Sequence, residues 1–479
     1  MEKKKIKDEI PGSIEKCQEA VKEIFQSSSD IVIDTFETIK GMAMLVYVDG
    51  LIDKNLVDRD IIAPLKSINF EGDISAAIRC TIADVDNMSS VTGQVLQGNT
   101  AVFFEGRKKV AIADLKSFQM RSVEPPDAEA SIRGPKEGFT ENLRTNTSLL
   151  RRKIRTPDLI MENITIGRQT NTVITLAYIR GIVNTDVLDK VKYRLSKIDV
   201  DSIMESGYIE QYITENGFST ISGIGITQKP DVAAAKILEG RVAVICDGTP
   251  HVLTIPELFI ENIQTAEDYY NRTILSSLLR LLRVLGLFIS VMLPGLSVAV
   301  ITYNQEMMPA VFFQNLIVST AKTPLPAGAE IFLLILMFEL LREAGTRLPK
   351  AVGSAITIVG ALIIGEAAVN AGIVSAPAVI IVALTAVTSF IIPNLTEFTL
   401  VYRLILLFLG GSMGLIGIGA GMVIMLTQLI STTSFGISLL DSFSKPEFKD
   451  SAIRFPLWSL KLRPLSIARD NIVRKKENK

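Results

Sequence analysis

The stretch 284–430 is mostly apolar and contains several long runs without a charged residue. A bilayer-spanning helix needs about 20 largely apolar residues, because each residue rises about 1.5 Å through a hydrocarbon core about 30 Å thick. Residues 1–270, by contrast, are charged like those of an ordinary soluble protein. Because a single globular core does not explain this division, the sequence predicts a soluble module followed by a membrane module.

The apolar stretch divides into candidate membrane segments. Three arginines, Arg272, Arg280 and Arg283, precede the first of them, as the positive-inside rule expects at a cytoplasmic end. Segment 307–321 is too short to span and is predicted to be re-entrant or interfacial. Segment 404–430 is uncharged and rich in glycine, and it is predicted to fold as a hairpin or as half-helices. The other predicted spans are 284–301, 331–341, 351–371 and 376–392.

The soluble half alternates short apolar runs with helix-like stretches, which is typical of an α/β region. Segment 100–112 is predicted to be strand, turn and strand with Gly106 at the turn, and segment 241–255 repeats this pattern with Gly248. We therefore interpret this half as two related lobes, followed by an all-α polytopic membrane domain. The alternative is that hairpins look alike in any α/β protein.

These patterns predict six regions along the chain. Most boundaries fall where the composition changes or where proline and glycine break regular structure. The regions are an N-terminal extension (1–29), a first α/β lobe (30–120), a linker with a basic helix (121–158), a second α/β lobe (159–270), a transmembrane domain (271–440) and a cytoplasmic tail (441–479).

The basic helix 140–155 allows two interpretations. It carries five positive side chains, which could form a solvated face packed between the lobes or could contact anionic lipid headgroups or a partner subunit. The formal net charge of the whole chain is only −1, so bulk charge gives no argument for nucleic acid.

No catalytic, metal or cofactor site is predicted in the soluble half. The three cysteines are far apart, and His251 has no second histidine with which to bind a metal. Residues 223–225 are too short for a phosphate-binding loop. The odd number of cysteines suits a reducing compartment, and the lysine-rich start leads into no apolar core. We therefore expect a non-enzymatic protein whose soluble half is cytoplasmic.

Polar and small side chains inside the apolar segments are candidates for function or packing. Glu330, Glu339, Glu366 and Asn370 are costly at membrane depth. Glu330 and Glu339 have an alternative explanation, which is pairing with Arg342 or Arg347. Close packing through small residues drives helix association in lipid, and Pro294 predicts a kink in the first span. The candidate gating or packing residues are Pro294, Gly295, Gly360, Gly365, Glu339 and Arg342.

Several strings in the sequence resemble the A subunits of GerA-type spore germinant receptors. In the membrane half these are 294–299 (PGLSVA), 306–309 (EMMP), 339–349 (ELLREAGTRLP), 360–368 (GALIIGEAA) and 371–375 (AGIVS). In the soluble half they include 133–139 (RGPKEGF), 238–241 (LEGR) and 247–250 (DGTP). The resemblance runs from about residue 30 to residue 463.

The resemblance implies a receptor subunit in the inner membrane of a bacterial endospore. Its expected partners are further copies of itself in a ring, with a pentamer as the expected assembly, a transporter-like B subunit, a lipoprotein C subunit and membrane lipid. Such a ring would enclose an ion path that opens when nutrient binds. A solute transporter and a non-conducting scaffold for the B and C subunits are the alternatives.

Segment 351–371 is the candidate pore helix. Glu366 and Asn370 lie four residues apart and so share one helical face, and Val359 and Ile363 fall near the same stripe. A ring of such helices would place a carboxylate ring beside an apolar constriction, which attracts cations and closes by dewetting. The alternative is a packing helix whose Glu366 meets a partner subunit.

Overall fold

A computed structural model describes most of the chain. The described residues are 8–39, 41–66, 78, 80–117, 133–217, 219–321, 323–347, 365–441, 450–451, 453–468 and 471–474. The predicted pore residues Val359 and Ile363, and Gly360, lie outside these ranges.

The first lobe is a five-stranded antiparallel sheet in the order β1-β2-β4-β5-β3. Its central strands are apolar on both faces because helices cover both sides: α1 and α4 pack on one face and segment 54–66 on the other. The elements are α1 (Ile14–Phe25), β1 (Ile31–Thr38), β2 (Gly41–Val48), α2 (Lys54–Val57), a π-helical turn (Asp58–Ile62), α3 (Ala63–Lys66), β3 (Thr81–Val85), α4 (Met88–Leu96), β4 (Thr100–Phe104) and β5 (Val110–Ala113).

The second lobe has the same sheet order, β6-β7-β9-β10-β8, again antiparallel throughout. The two predicted strand–turn–strand units are β4–β5 and β9–β10, and they occupy equivalent positions in the two sheets. The elements are α5 (Leu143–Lys153), β6 (Leu159–Ile166), β7 (Thr172–Ile179), α6 (Thr185–Ser196), α7 (Ser206–Ile213), β8 (Gly225–Thr227), α8 (Pro230–Leu238), β9 (Val242–Cys246), β10 (Val252–Ile255), a 3-10 turn (Phe259–Asn262) and α9 (Glu267–Tyr270).

The basic helix α5 joins the two lobes. Asn142 caps its first turn, where the side chain accepts a hydrogen bond from the Thr145 N–H at 3.1 Å. Its Arg151 is fully buried and binds Asp30 of the first lobe through two nitrogens, at 2.7 and 2.8 Å. Arg144 forms an ion pair with Asp49, also in the first lobe. Part of the positive charge of this helix therefore serves the joint between the lobes.

The C-terminal part is helical. Its elements are α10 (Thr273–Thr302), a 3-10 turn (Gln305–Met307), α11 (Ala310–Thr320), α12 (Ala327–Arg347), a helical turn at 365–370, α13 (Ala376–Ser389), a 3-10 turn (Pro393–Leu395) and α14 (Thr396–Ser431), followed by a short hairpin of β11 (Thr433–Ser434) and β12 (Ile437–Ser438). Within the described residues, two helices are long and apolar enough to cross a membrane, 273–302 and 393–431.

The second of these helices is folded back on itself. Gly414 has φ +62° and ψ −142°, values outside the helical region, so α14 consists of two half-helices, 396–413 and 415–431. The Tyr402 hydroxyl donates a hydrogen bond to the side-chain oxygen of Gln428, and a Cβ at Gly421 would lie 2.5 Å from Cδ2 of Leu406. Residues at similar distances before and after Gly414 thus face each other, which agrees with the prediction that 404–430 folds as a hairpin or as half-helices.

The helical part has two ends, which can be followed along the chain. We call the end that touches the second lobe the lobe end and the opposite end the distal end. At the distal end the Tyr303 hydroxyl, just after α10, donates to the Ser412 carbonyl beside the hairpin tip, at 2.9 Å. Helix α12 begins there too, because a Cβ at Gly328 would lie 3.5 Å from Val298. The segment 303–328, which contains α11, therefore begins and ends at the distal end.

The remaining helices return towards the lobe end. Glu339 of α12 reaches Arg403, which lies two turns into α14. Helix α13 starts distally, since the Ser375 N–H and hydroxyl donate to Glu330 near the start of α12, at 3.2 and 2.8 Å. It ends towards the lobes, where Thr388 lies beside Gly286 of α10.

Candidate coupling site between the second lobe and the helices

The structure places the predicted pore residues that it describes on an exposed helical turn. Glu366 and Asn370 are both exposed, whereas Gly365 is buried and a Cβ there would lie 3.4 Å from Val379 of the same chain. The sequence predicted that Glu366 and Asn370 share one helical face, and the exposure of both side chains agrees with this prediction. Gly365 contributes to packing within the chain.

Pro294 and Gly295 lie at the crossing of α10 and α14. Helix α10 continues through Pro294, and both residues are buried. A Cβ at Gly295 would stand 2.5 Å from the Leu406 carbonyl oxygen, and one at Gly410 would stand 2.5 Å from the Gly295 carbonyl oxygen. Two glycines thus let the helix backbones touch, as small residues do in membrane helix pairs.

Glu339 is held by two arginines. Arg342, one helical turn later, pairs with it at 2.5 Å, and Arg403 of α14 approaches it at 3.3 Å. Arg403 also donates to the Ser290 carbonyl of α10 at 2.8 Å, so one guanidinium connects three helices. The sequence indicated Arg342 through its i+3 spacing. It gave no signal for Arg403, which lies 64 residues away.

Glu330 does not pair with Arg342 or Arg347, contrary to one interpretation of the sequence. It is 1% exposed, and Ser375 supplies its two hydrogen bonds. Arg347 pairs instead with the exposed Glu343 one turn earlier on the same helix. The loop that precedes α13 thus covers Glu330. The positions of charged residues along the sequence do not predict this contact, because its partner, Ser375, is uncharged and 45 residues away.

A buried ion cluster joins the second lobe to the start of α10. Asp268, in α9, is 1% exposed and accepts a hydrogen bond from Arg280 Nε at 2.9 Å. Arg283 donates to the same carboxylate at 2.8 and 3.0 Å. Of the three arginines that the sequence assigned to the mouth of the first span, Arg280 and Arg283 therefore bind the lobe that precedes it, whereas Arg272 is exposed.

The chain after α14 completes this cluster. Arg280 donates through Nη1 to the Asp450 carboxylate at 2.9 Å and to the Ser451 carbonyl at 3.0 Å. The Tyr269 hydroxyl donates to Asp450 at 2.9 Å. Burial, together with the charge of Asp450, raises the pKa of Tyr269 well above its usual value, so this phenol remains a donor. The lobe, α10 and the tail therefore meet at one point.

A second contact joins the lobe to the end of α14. The hairpin β11–β12 is tied to the second lobe by Lys190, which donates to the Phe435 carbonyl at 2.9 Å. The Phe435 ring is 2% exposed and lies under the Arg194 guanidinium, 4.5 Å from it. Thr433 donates to Glu215 at 2.7 Å.

The apolar core is also continuous across this boundary. Phe259 of the lobe packs edge-on against Phe398 of α14, with ring centroids 6.1 Å apart, and Phe398 packs on Tyr402 at 4.8 Å. The start of α10, the start of α14 and the hairpin that follows α14 therefore all contact one lobe. Among the described residues no group of three His, Cys, Asp or Glu side chains could hold a metal ion.

Comparison with known proteins identifies the family. The profile described as Bacillus/Clostridium GerA spore germination protein matches residues 19–466. The chain is 41% identical to spore germination protein KA of Bacillus subtilis over 97% of this chain and 88% of that protein. It is 40% identical to the uncharacterized membrane protein YfkQ of the same organism, over 93% and 90%.

A solved structure is similar to the soluble half. The N-terminal domain of the A subunit of the Bacillus megaterium spore germinant receptor GerK3 is 32% identical, and the match covers 52% of this chain and 97% of that domain with a TM-score of 0.41. The profile match spans nearly the whole chain and includes the lobes, the coupling cluster and the helices. This chain belongs to the GerA family of spore germination proteins.

Proposed function

We propose that this chain is the A subunit of a nutrient germinant receptor in the spore inner membrane, and that copies of it form a ring around a gated ion path. The coarse part of this proposal follows from the family, whose relatives are named spore germination proteins. The channel role rests on one observation. A single lobe holds the start of α10 through Asp268 and the end of α14 through Phe435, so a partner that moves the lobe would move two membrane helices.

The path of the helices supports six membrane crossings. Helix α10 and the first half of α14 run from the lobe end to the distal end. Helices α12 and α13 and the second half of α14 run from the distal end to the lobe end. The span predicted from the sequence at 351–371 falls between α12 and α13 and lies mostly outside the described residues. With this predicted span, the proposed number of crossings is six. Both chain ends then lie on the lobe side, in agreement with the even number of crossings that a cytoplasmic start and tail require.

Helix α11 fits the re-entrant or interfacial assignment. Its 11 residues rise about 16 Å, which is about half of the hydrocarbon thickness. The chain enters it just after Tyr303 and leaves it before Gly328, and both of these lie at the distal end.

Exposure supports the pore assignment of segment 351–371. A carboxylate at membrane depth is costly unless it faces water or a polar partner. Glu366 and Asn370 are exposed on the single chain, so in a ring they would face a water-filled path or a neighbouring subunit. Gly365, on another side of this helical turn, packs against Val379 of the same chain.

Ion flux tests the channel function. The purified chain is reconstituted in liposomes alone and together with B and C subunits, and K⁺ release is followed after germinant is added. A channel subunit predicts germinant-dependent release that requires this chain. Absence of release from a correctly assembled complex would favour the scaffold, and saturable uptake of a small solute would favour the transporter.

Thiol labelling tests the topology separately. Cys80 is the partly exposed native cysteine of the lobes, whereas Cys17 and Cys246 are buried. An impermeant maleimide added to intact cells should leave Cys80 unlabelled and should label a Gln305→Cys variant at the exposed distal end. Labelling of Cys80 without permeabilisation would contradict a cytoplasmic lobe.

A further inference from the structure

The segment 453–465 exposes an unusual set of apolar side chains. Trp458 is 71% exposed and Leu457 is 56% exposed, on a short 3-10 turn that nothing else in the described chain covers. The segment contains Arg454, Lys461 and Arg463 and no acidic residue. Its exposed apolar side chains are Ile453, Phe455, Leu457, Trp458, Leu462 and Leu465.

This segment has a fixed position beside the start of α10. The Arg454 N–H donates to the Ser277 hydroxyl at 3.2 Å, which attaches the backbone to the second turn of the helix. The Arg454 side chain is 3% exposed and donates to the Asn271 carbonyl at 3.2 Å. The start of the segment, with Phe455, is therefore held beside the second turn of α10. The other end is held by the second lobe, where Arg463 Nε donates to the Leu238 carbonyl at 2.9 Å.

Counted from Val284, the height of the second turn of α10 lies just outside the headgroup layer. The exposed face of α10 is nevertheless apolar down to this height, because Arg280 and Arg283 turn inwards to Asp268. Ser277 lies seven residues before Val284, the first residue of the uncharged stretch, which is about 10 Å along a helix. The headgroup layer on each side of the hydrocarbon core is roughly 5–8 Å thick. The first turns of α10 continue the same apolar surface, with exposed Ile274, Leu278 and Leu281.

We propose that segment 453–465 is an interfacial anchor that inserts Trp458 into the headgroup layer of an anionic leaflet on the lobe side. This inference rests on the proposed membrane embedding of α10. A tryptophan combines an apolar ring with one N–H donor, which suits the boundary between hydrocarbon and water. The segment carries positive charge and no acidic residue, which favours an anionic leaflet. The Arg463 guanidinium itself donates to the Leu238 and Val473 carbonyls of the protein, both at 2.9 Å.

The anchor gives the tail a mechanical role. The same tail supplies Asp450 to the ion cluster of Asp268 and Arg280, so a lipid-bound tail would hold the lobe against the membrane surface next to α10. The second lobe would then rotate about this contact.

Trp458 is the sole tryptophan of the chain, so its fluorescence reports this position without any substitution. The full-length protein is reconstituted in bilayers of phosphatidylcholine and phosphatidylglycerol that carry bromine at a shallow or a deep acyl position. We expect strong quenching by shallow bromine, weaker quenching by deep bromine and little quenching by aqueous acrylamide. Bromine on phosphatidylglycerol should quench more than bromine on phosphatidylcholine.

A matched variant separates this proposal from the membrane embedding itself. In Trp458→Phe/Phe288→Trp the single tryptophan moves to an exposed position within the uncharged part of α10. Deep bromine should quench it strongly. If neither protein is quenched by lipid bromine, α10 is not in the bilayer and the proposed function fails.

Three outcomes overturn the anchor while α10 remains embedded. Quenching of Trp458 by acrylamide alone places it in water. Resistance to both acrylamide and lipid bromine places it under protein, such as a second copy of the chain. Equal quenching by the two brominated lipids removes the anionic preference.

Discussion

Arg280, in α10, donates through Nε to Asp268 of the second lobe at 2.9 Å, and both residues are 1% exposed or less. This pair crosses the boundary between the soluble and helical parts within 12 residues of sequence. Because Arg283 and the tail residue Asp450 share the same cluster, the pair fixes the direction in which α10 leaves the lobe.

Asp268→Asn should destabilise the protein and uncouple the lobe from the helices. Removal of one partner of a buried ion pair typically costs 3–5 kcal/mol, about the range expected here, because Arg283 loses its carboxylate and Arg280 retains only that of Asp450. Thermal unfolding in detergent measures the loss. Glu343→Gln, which breaks the exposed pair with Arg347, is the matched control and should change the midpoint little. Equal shifts in the two variants would contradict a structural role for the cluster.

Gly295→Ala should loosen the contact between α10 and the α14 hairpin. The new methyl group would collide with the Leu406 carbonyl, which is backbone and cannot swing away, so a cost of about 1–3 kcal/mol is expected. Gly419→Ala is the control, because a Cβ there meets nothing within 4 Å. Thermal midpoints of the two purified variants give the comparison, and an unchanged Gly295→Ala protein would show that the helices do not cross at this glycine.

Arg151→Ala should destabilise the joint between the two lobes by about 3–5 kcal/mol, since it leaves the buried Asp30 carboxylate without its cation. Arg168→Ala removes an equally close but exposed pair with Asp199 and should have little effect. Chemical denaturation of both variants tests this. The double variant Arg151→Ala/Asp30→Ala should regain part of the lost stability, because it leaves no unpaired buried charge. If the double variant is no more stable than Arg151→Ala, the two residues are not energetically coupled.

The stability of the second lobe should fall as pH rises from about 5 to 8. Burial, and then repulsion from Glu261, raises the pKa of Glu257 to about 8, although Lys236 opposes this shift. The folded state therefore retains a proton that the unfolded chain releases near pH 4.5, and this contribution to stability is lost as pH rises through the folded pKa.

Glu257→Gln should flatten this pH dependence and make the lobe relatively more stable at pH 8. The difference between the two proteins at that pH should be on the order of a few kcal/mol. Denaturation curves at several pH values provide the measurement. Parallel pH profiles for the two proteins would show that another group titrates.

Val359→Ala or Ile363→Ala should make spores lose ions without nutrient if segment 351–371 lines a closed path, because a wider apolar constriction holds water more readily. Glu366→Gln should reduce cation selectivity while leaving assembly intact. Spore K⁺ release and flux in liposomes are the measurements. Dormant spores together with unchanged selectivity would assign this helix to packing.

Oligomer formation through Gly360 and Gly365 stays a prediction. The structure gives Gly365 a partner within its own chain, so Gly365→Leu should disturb the subunit itself by displacing Val379.

The sequence by itself determined the division into a soluble α/β half and an apolar helical part, because hydropathy and strand periodicity are local properties. It also indicated a hairpin or half-helices at 404–430, because a cytoplasmic start and tail require an even number of crossings and the glycines of this stretch permit a turn. The pairing of Glu339 with Arg342 was accessible for the same reason, as the two lie one helical turn apart.

Only the tertiary structure decided how these parts meet. Arg151 binds Asp30 across 121 residues, Arg403 reaches Glu339 across 64, and Tyr269 finds Asp450 across 181. Nothing in the local pattern distinguishes these charged side chains from solvated ones, because their burial arises only when distant segments pack together. The coupling of the second lobe to α10 and α14 is therefore a property of the folded chain, built from residues whose roles depend on partners far away in sequence.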